Sequence, residues 1–340
     1  MEFGIFDHLD SNGSTPHAYY RDRLALIERY DNAGFYAYHC AEHHLSPLGM
    51  APSPSVFLAS VAERTTRLRF GPLVYAVPLY HPLRLLEEIC MLDQLSGGRL
   101  EMGFGRGSSR AENRYFGQAF EEAEQVYSDT LAIVLDAFAT RTFSIPGAAE
   151  TFQEMPLPIE PFQKPHPPIW YGVHSMASAE RAARQGLHLV SLDTSAETRE
   201  YALLFRAIWR ELHGAAPAPK VGIGKFIVVA DDDATALRIA RRAYPRWHQN
   251  FTHSLRRHGI RSTHARPGTF DEMAAQGKAV AGSPGSVLAA LEREVDEALV
   301  DYLVGQFAFG DLTLAEADRS VELFAAAVMP ALRTRVPVAS

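Results

Sequence analysis

The chain has 340 residues, of which 47% are hydrophobic and 21% are charged. This is the composition of a globular protein with a large core, not of a disordered one. The formal net charge is -7 and the Lys and Arg residues are scattered, which argues against binding to nucleic acid or to an anionic membrane and favours a small-molecule partner. The two cysteines lack metal-ligand spacing, and neither a signal peptide nor a long apolar run is present, so we predict a cytoplasmic protein.

Short segments rich in β-forming residues alternate with longer helical patterns. In chain order, the predicted strands are Glu2–Phe6, Ala37–Cys40, Leu68–Val74, Leu100–Gly105, Ile169–Val173, Leu189–Leu192, Val221–Val229 and Tyr302–Phe307. Proline, serine and glycine residues typical of helix ends lie between them, such as Pro82 before a helix that ends at Gly97-Gly98. Eight such alternations predict one α/β domain over residues 1–340, a (β/α)8 TIM barrel. A doubly wound open sheet is the alternative, because strand order cannot be read from one sequence.

Two stretches interrupt the alternation. Before strand 5, Phe143–Pro168 is rich in proline, which predicts an extended excursion in place of a helix. After strand 7, the segment Arg256–Ser283 is polar and rich in Gly, Arg and His. Long insertions of this kind in barrels are often lids, so we predict a mobile lid at residues 256–283.

In a barrel of this type, reactive groups sit at the carboxyl ends of the strands. The residues at the predicted ends are more polar than a packed core requires: they are Asp7-His8, Glu42-His43-His44, Val74-Tyr75, Gly105-Arg106-Gly107, His174-Ser175, Asp193 and Phe309. We therefore expect the functional site at this end of the barrel.

The run Glu42-His43-His44 contains residue types that both metal sites and proton transfer use. Neighbours on an extended segment point to opposite faces and do not easily converge on one ion, so we predict no metal. A solvated pair of histidines is the structural alternative. As a functional interpretation, one histidine facing the barrel mouth would exchange protons near neutral pH.

Two features at the ends of strands 4 and 5 suit a phosphate. Arg106 lies between two glycines that permit close approach, although the GxGxxG dinucleotide pattern is incomplete and the arginine could instead pair with a carboxylate. Ser175 and Ser178 begin a helix whose N–H groups could bind an anion, although ordinary capping also explains Ser175. Trp247, Tyr75 and Phe309 could line a pocket for a flat ligand or simply belong to the core.

Several stretches are similar to one known family. They are Ala41-Glu42-His43-His44, His81-Pro82, Leu92-Asp93-Gln94-Leu95-Ser96-Gly97-Gly98-Arg99, Gly105-Arg106-Gly107, Tyr115-Phe116-Gly117, Gly282-Ser283-Pro284 and Val328-Met329-Pro330. In these residues the chain resembles the bacterial-luciferase-like flavin-dependent monooxygenases, and it is collinear with the luciferase alpha chain over nearly its whole length.

The resemblance implies a barrel that binds FMN at its mouth. Reduced FMN would react with O2 to give a C4a-hydroperoxide that oxygenates a small organic substrate. Because the chain lacks an NAD-binding fingerprint, a separate flavin reductase would supply the reduced FMN. The resemblance also implies a homodimer formed through the helices Ser53–Thr65 and Pro82–Ser96.

The resemblance assigns roles to individual residues. His43 would be the catalytic acid or base, with Glu42 and His44 beside it. It matches Leu73, Val74, Arg106, Tyr171, Gly172, Ser175 and Trp247 to cofactor contacts, with a cis peptide between Leu73 and Val74. From their position at the end of strand 5 and the start of the next helix, we add His174 and Ser178 to the expected cofactor site. The expected substrate residues, which the resemblance does not assign, are Asp7, His8, Tyr75, Ser109 and Phe309.

The sequence also departs from the luciferase pattern. Luciferase has a thiol just before the arginine that contacts phosphate, whereas this chain has Gly105 there. A second luciferase arginine near the phosphate aligns with Glu124, and a luciferase glutamate after strand 5 aligns with His174. The end of strand 1 differs as well, so aldehyde oxidation with light emission is not expected to carry over. Two alternatives stay open: an oxidoreductase that uses a deazaflavin coenzyme, and a non-catalytic partner like the luciferase beta chain, against which the retention of His43 and Arg106 counts.

Overall fold

The predicted strands form one parallel barrel. The computed structural model describes residues 1–107, 109–144, 147, 149–260 and 265–334. The barrel strands are β1 (Glu2–Asp7), β2 (Ala37–Cys40), β3 (Arg69–Pro72), β4 (Met102–Gly105), β5 (Ile169–Val173), β6 (His188–Ser191), β7 (Val221–Val229) and β8 (Tyr302–Gln306).

Strand pairing brings the two edges of this sheet together. The order is β3-β2-β1-β8-β7-β6-β5-β4, and a parallel bridge from Phe70 to Leu100 joins β3 to the start of β4. After β3, the two-residue strand Tyr75–Ala76 also pairs with β4. The chain is therefore a nearly closed barrel, which confirms the TIM-barrel prediction and shows that the open-sheet alternative is wrong.

Helices cover the outside of the barrel. They are α1 (Pro16–Ala33), α2 (Pro54–Arg64), α3 (Pro82–Leu95), α4 (Arg110–Tyr115), α5 (Ala123–Thr140), α6 (Met176–Gln185), α7 (Ser195–His213), α8 (Asp233–Phe251), α9 (His253–His258), α10 (Phe270–Ala275), α11 (Pro284–Ala298), α12 (Leu314–Leu323) and α13 (Met329–Arg333). None of these helices has the length and apolar character that crossing a membrane requires.

Both faces of the strands are buried, as the position between the helices and the barrel interior requires. All nine residues of β7 are buried. Glu101, at the amino-terminal end of the interior, is fully buried and accepts hydrogen bonds from Tyr36 Oη (2.8 Å) and Trp170 Nε1, while also pairing with Arg69. This cluster fills that end of the barrel, which leaves the carboxyl ends of the strands for a ligand.

The segment before β5 contains a short antiparallel hairpin. Thr142–Phe143 pairs with Met155–Pro156, and from residue 157 to 168 the chain runs without a helix or strand. This path agrees with the proline content of the segment. Residues 145, 146 and 148 lie outside the described residues.

The segment 256–283 holds more regular structure than its composition suggests. It includes α10 and the strand Ala279–Gly282, which pairs in parallel with β7. Phe270 and Met273 of α10 are buried against the cluster that contains Trp247. Much of residues 270–282 is therefore regular structure that packs against the barrel. Residues 261–264 lie outside the described residues, and the lid function stays a prediction.

Candidate active site

A cavity of about 380 Å³ opens at the carboxyl ends of the barrel strands. Of the site residues that the sequence predicts, the cavity is lined by His8, His43, Arg106, Ser109, His174 and Trp247. They come from the ends of β1, β2, β4 and β5 and from α8. The predicted end of the barrel is therefore the end that carries a ligand-sized space.

His43 forms a pair with an acid that the sequence analysis missed. Glu112 lies on α4, whose N-cap Ser109 accepts a hydrogen bond from the Glu112 N–H (3.2 Å) and so fixes the first turn. The buried Glu112 Oε1 lies 3.2 Å from His43 Nδ1 and accepts a bond from the His44 N–H (3.1 Å). The pattern of Ser followed three residues later by Glu, directly after a strand end, is the signal that could have revealed it.

The Glu112 carboxylate sets the protonation of His43. Burial alone would lower the pKa of His43, but the charge and hydrogen bond of Glu112 outweigh burial and raise it. Burial would raise the pKa of Glu112, yet His43 and the His44 N–H hold it below its usual range. Because the carboxylate engages Nδ1, Nε2 is the nitrogen of His43 left to exchange a proton with a ligand.

His8 provides a neutral imidazole beside His43. Burial, together with the charges of His43 and Arg266, lowers the pKa of His8 to about 3 although the hydrogen bond to Gln306 opposes this shift. Its Nδ1 lies 3.1 Å from Gln306 Oε1 and accepts a hydrogen bond from Trp247 Nε1 (3.4 Å), and its ring stacks on that of His43 with centroids 6.1 Å apart. Neighbouring groups with pKa values pushed apart are a common acid and base arrangement in active sites.

Glu42 and His44 lie beside the cavity but do not line it. Glu42 accepts hydrogen bonds from His44 Nε2 (2.8 Å) and from the Ala76 N–H (2.9 Å). The neighbouring histidines thus pair with different carboxylates, as expected for an extended segment. Within the described ranges, no group of three or more His, Cys, Asp or Glu side chains could hold a metal ion. This geometry supports a positioning function for Glu42 and His44, which tie the segment to the strand after β3.

A cationic region lies at the ends of β4 and β5. The half-exposed Arg106 guanidinium lies 3.9 Å from a Glu124 carboxylate oxygen, and Arg181 of α6 binds the other oxygen at 2.8 Å. Glu124 thereby brings Arg106 close to α6, the helix that Ser175 begins. Arg181 was missed by the sequence analysis, although its position three residues after Ser178 puts it on the same helical face.

Ser175 and Ser178 cap α6 reciprocally. Ser175 Oγ accepts from the Ser178 N–H (3.2 Å), and Ser178 Oγ accepts from the Ser175 N–H (3.0 Å). Both residues face outward at the helix N-terminus, so capping and anion binding are compatible. His174, just before the cap, pairs with Asp193 at 3.1 Å.

The strand-3 end has the expected backbone. The peptide between Leu73 and Val74 is cis, which confirms the feature that the resemblance implies. A Cβ at Gly105 would lie 2.4 Å from Val74 Cγ2, so Val74 occupies the space that a side chain would need. Leu73, Val74 and Tyr171 are partly buried and Gly172 is exposed; none of the four lines the cavity, and their contact with a cofactor stays a prediction.

Three expected substrate residues lie behind the cavity wall. Asp7 is buried in an ion pair with Arg23 (3.2 Å). The Tyr75 hydroxyl bonds to Ser55 (2.9 Å), and Phe309 packs edge-on against Phe226, with centroids 5.0 Å apart. All three side chains are buried and none of them lines the cavity, so their contact with a substrate stays a prediction.

Comparison with known proteins places the chain in a family. The model of the luciferase-like monooxygenase family matches residues 1–302, so the chain belongs to this family, as the sequence resemblance indicates. The uncharacterized protein y4wF of Sinorhizobium fredii is 41% identical over 315 residues, 92% of each chain.

Two further similar proteins are oxygenases by name. The oxygenase component of flavin-dependent trigonelline monooxygenase from Acinetobacter baylyi is 28% identical over 193 residues, covering 56% of this chain and 53% of the relative. The crystal structure of the monooxygenase RslO1 from Streptomyces bottropensis superposes with a TM-score of 0.84 at 26% identity, covering 97% of this chain and 99% of that one.

Proposed function

We propose that the chain is the oxygenase component of a two-component monooxygenase that uses reduced FMN and O2. The observation that carries this proposal is the His43–Glu112 pair, which faces the same cavity as neutral His8 and cationic Arg106. Membership of the luciferase-like monooxygenases and similarity to a named oxygenase component support it. The reduced cofactor comes from a separate flavin reductase.

The residues at the β4 and β5 ends fit the phosphate of FMN. Among the described residues, the half-exposed Arg106 makes a long contact with Glu124 and lies over the Phe120 ring, so it keeps N–H donors for a phosphate. The N-terminus of α6, with Ser175 and Ser178, adds N–H groups and a favourable dipole. A Cβ at Gly172 would meet nothing within 4 Å, which leaves open space beside this region for the rest of the cofactor.

When bound, reduced FMN supplies the electrons that activate O2. The chain holds a proton on His43, since Glu112 favours the imidazolium, and delivers or removes it at Nε2. The apolar side chains that line the cavity exclude water from the reacting atoms; they include Leu48, Phe226, Trp247, Phe251 and Met273.

One observation supports the deazaflavin alternative. Glu124 lies between Arg106 and Arg181 and cancels part of their charge. A monoanionic phosphodiester, as in the deazaflavin coenzyme, needs less compensation than the nearly dianionic phosphate of FMN. A non-catalytic function like that of a luciferase beta chain is disfavoured because His43 and Arg106, to which the resemblance assigns catalysis and phosphate binding, are both present and line the cavity.

Isotope labelling tests the proposed reaction. The protein, FMN, NADH and a separate flavin reductase are incubated under ¹⁸O₂ with a panel of small organic compounds, and the products are analysed by mass spectrometry. We expect a product that carries one labelled oxygen atom. His43→Ala should abolish most of this product, by about 10²–10⁴ in rate, while FMN binding is kept. Substrate oxidation without label incorporation would contradict the proposal.

A further inference from the structure

A second cationic pair lines the cavity on the side of β6 and β7. Arg266 Nη1 donates to the Leu192 carbonyl at the end of β6 (2.9 Å). Lys278 is held between α10 and β7, because its N–H donates to the Met273 carbonyl (3.0 Å) and its carbonyl accepts from the Phe226 N–H (3.1 Å). Both side chains line the cavity, two strands away from Arg106.

The backbone around Arg266 is also fixed. His248 of α8 contacts the Arg266 carbonyl (3.1 Å), and the Tyr244 hydroxyl donates to the Pro267 carbonyl (2.9 Å). These contacts fix the backbone of Arg266 in the cavity wall.

The carboxylates of Asp193 and Glu197 favour the charged forms of this pair from a distance but form no ion pair with it. In the described part of the chain, no carboxylate lies within ion-pair distance of Arg266 or Lys278. The nearest acids have partners of their own: Asp193 pairs with His174 (3.1 Å), and Glu197 accepts from the Thr194 hydroxyl (2.7 Å). Arg266 uses one of its five N–H donors on Leu192, which leaves the others for a ligand.

Electrostatics support the same conclusion. Burial, followed by repulsion from Arg266, lowers the pKa of Lys278, and burial lowers the pKa of Arg266; in both cases the charges of Asp193 and Glu197 oppose the shift without cancelling it. Two positive charges in a partly desolvated cavity raise the free energy of the protein, and a bound anion would offset this cost. Apolar surface from Phe226, Trp247 and Met273 lines the cavity around them.

We propose that Arg266 and Lys278 bind a carboxylate of the substrate, whose apolar body packs against Phe226, Trp247 and Met273. A guanidinium and an ammonium together suit a carboxylate, which accepts several charge-assisted hydrogen bonds. This assignment rests on the proposed function in one respect: Arg106, at the other cationic region, is left to bind the phosphate of the cofactor.

Calorimetric titration with a matched pair of ligands tests the proposal. Benzoate and the neutral benzamide are titrated into the protein with and without FMN. We expect benzoate to bind at least tenfold more tightly than benzamide. Arg266→Gln and Lys278→Gln should each weaken benzoate binding about tenfold and leave benzamide and FMN binding unchanged. Arg184→Gln, which neutralises an exposed cation paired with Glu180 on α6, is the control and should change nothing.

Equal affinities for the two ligands, or no binding of either, would overturn the assignment. If Arg266→Gln instead weakens FMN but not riboflavin, the pair binds the cofactor phosphate and the assignment is also wrong. If FMN fails to bind at all while the flavin-free protein still prefers benzoate through Arg266 and Lys278, the proposed function fails and the carboxylate site stands.

Discussion

At the scale of single residues, His43 and His8 face one cavity with opposite preferences for a proton. Burial disfavours the charged form of both rings, but the Glu112 carboxylate beside His43 outweighs it there and raises the pKa of His43, whereas the pKa of His8 is lowered. Their stacked rings, 6.1 Å apart, also disfavour two positive charges at once. The site therefore favours a proton on His43 over one on His8.

Removing the Glu112 charge should change the titration of His43. In Glu112→Gln, burial still disfavours the protonated imidazole of His43, but the carboxylate that opposes this effect is gone. We therefore expect the pKa of His43 to fall below its value in the parent protein. An NMR titration of the His43 imidazole measures this. Glu121→Gln, which removes an exposed carboxylate paired with Arg110 (2.6 Å), should leave that pKa unchanged. An identical pKa of His43 in Glu112→Gln and in the parent would show that Glu112 does not control the protonation of His43.

The same pair links stability to pH. The pKa of folded His43 lies above the unfolded value of about 6.5, so its stabilising contribution is complete below that value and is lost as the pH rises through the folded pKa. We expect the difference in free energy of unfolding between the parent and Glu112→Gln to shrink as the pH rises through that range. Urea unfolding across this range measures the difference, and a constant value would count against the linkage.

Arg106 should act on the phosphate alone. Arg106→Ala is expected to weaken FMN binding by roughly 1.5–3 kcal/mol, about ten- to a hundredfold, because it removes hydrogen bonds to a charged group. Riboflavin, which lacks the phosphate, should bind the variant and the parent equally, as fluorescence titration can show. Arg184→Ala is the control. A variant that loses affinity for both FMN and riboflavin would show that Arg106 stabilises the folded structure and does not act on the phosphate alone.

Which residues the sequence could identify depended on their local pattern. His43 and Arg106 were found because each sits at a strand end within a characteristic run. Glu112, Arg181, Arg266 and Lys278 were missed because their relation to the cavity arises from contacts between segments far apart in the chain. Asp7 lies in a buried ion pair with Arg23, which strand-end polarity alone does not reveal, and its expected contact with substrate stays a prediction.

At the scale of elements, α4 and α9 close one side of the cavity. The short α9 is tied to α4 by a contact between the Tyr115 hydroxyl and His258 Nε2 (2.6 Å). Residues 270–282 are anchored differently, through the buried Phe270 and Met273 and through pairing with β7. Within the described residues of the predicted lid, the least anchored part is therefore the exposed end of α9.

Limited proteolysis should locate the mobile part of this segment. Without flavin, we expect trypsin to cut first at the exposed Arg256 or Arg257, and we expect FMN to slow this cleavage. Tyr115→Phe should speed cleavage because it removes the contact with His258. Mass spectrometry of the fragments identifies the sites. A first cut elsewhere, unaffected by FMN, would mean that the segment is not a lid.

At the scale of the whole molecule, α2 and α3 present an unusual apolar surface. Leu85, Leu86 and Ile89 of α3 are buried, whereas Met91 and Leu95 on the same helix are 50% and 53% exposed, and Val56 of α2 is 71% exposed. A helix that only covers a barrel needs one apolar stripe. The additional exposed side chains support the proposed homodimer through these two helices.

A charged residue on this surface should separate the dimer. We expect the parent protein to be a dimer by light scattering at micromolar concentration and Met91→Asp to be a folded monomer, because burying an unpaired carboxylate is costly. Leu212→Asp, at an equally exposed apolar position on α7, should remain a dimer. A parent protein that is monomeric would contradict the proposed interface.

The fold was more predictable than the site. Strand patterns with glycine and proline punctuation gave the eight barrel strands nearly at their observed bounds, since buried parallel strands have a strong local signal. The order of the strands, the bridge from Phe70 to Leu100 and the helix α10 were not predictable from local patterns. In α10, apolar Phe270 and Met273 are only two residues in a polar stretch, and tertiary packing decides their structure.

The central claim, that this cavity binds reduced FMN for reaction with oxygen, is tested most directly by an anaerobic titration. The protein is titrated in parallel with reduced FMN and with the reduced deazaflavin coenzyme, and binding is followed by calorimetry. We expect reduced FMN to bind, with an affinity that Arg106→Ala lowers and His43→Ala leaves nearly unchanged. Binding of the deazaflavin coenzyme without binding of reduced FMN would contradict the account.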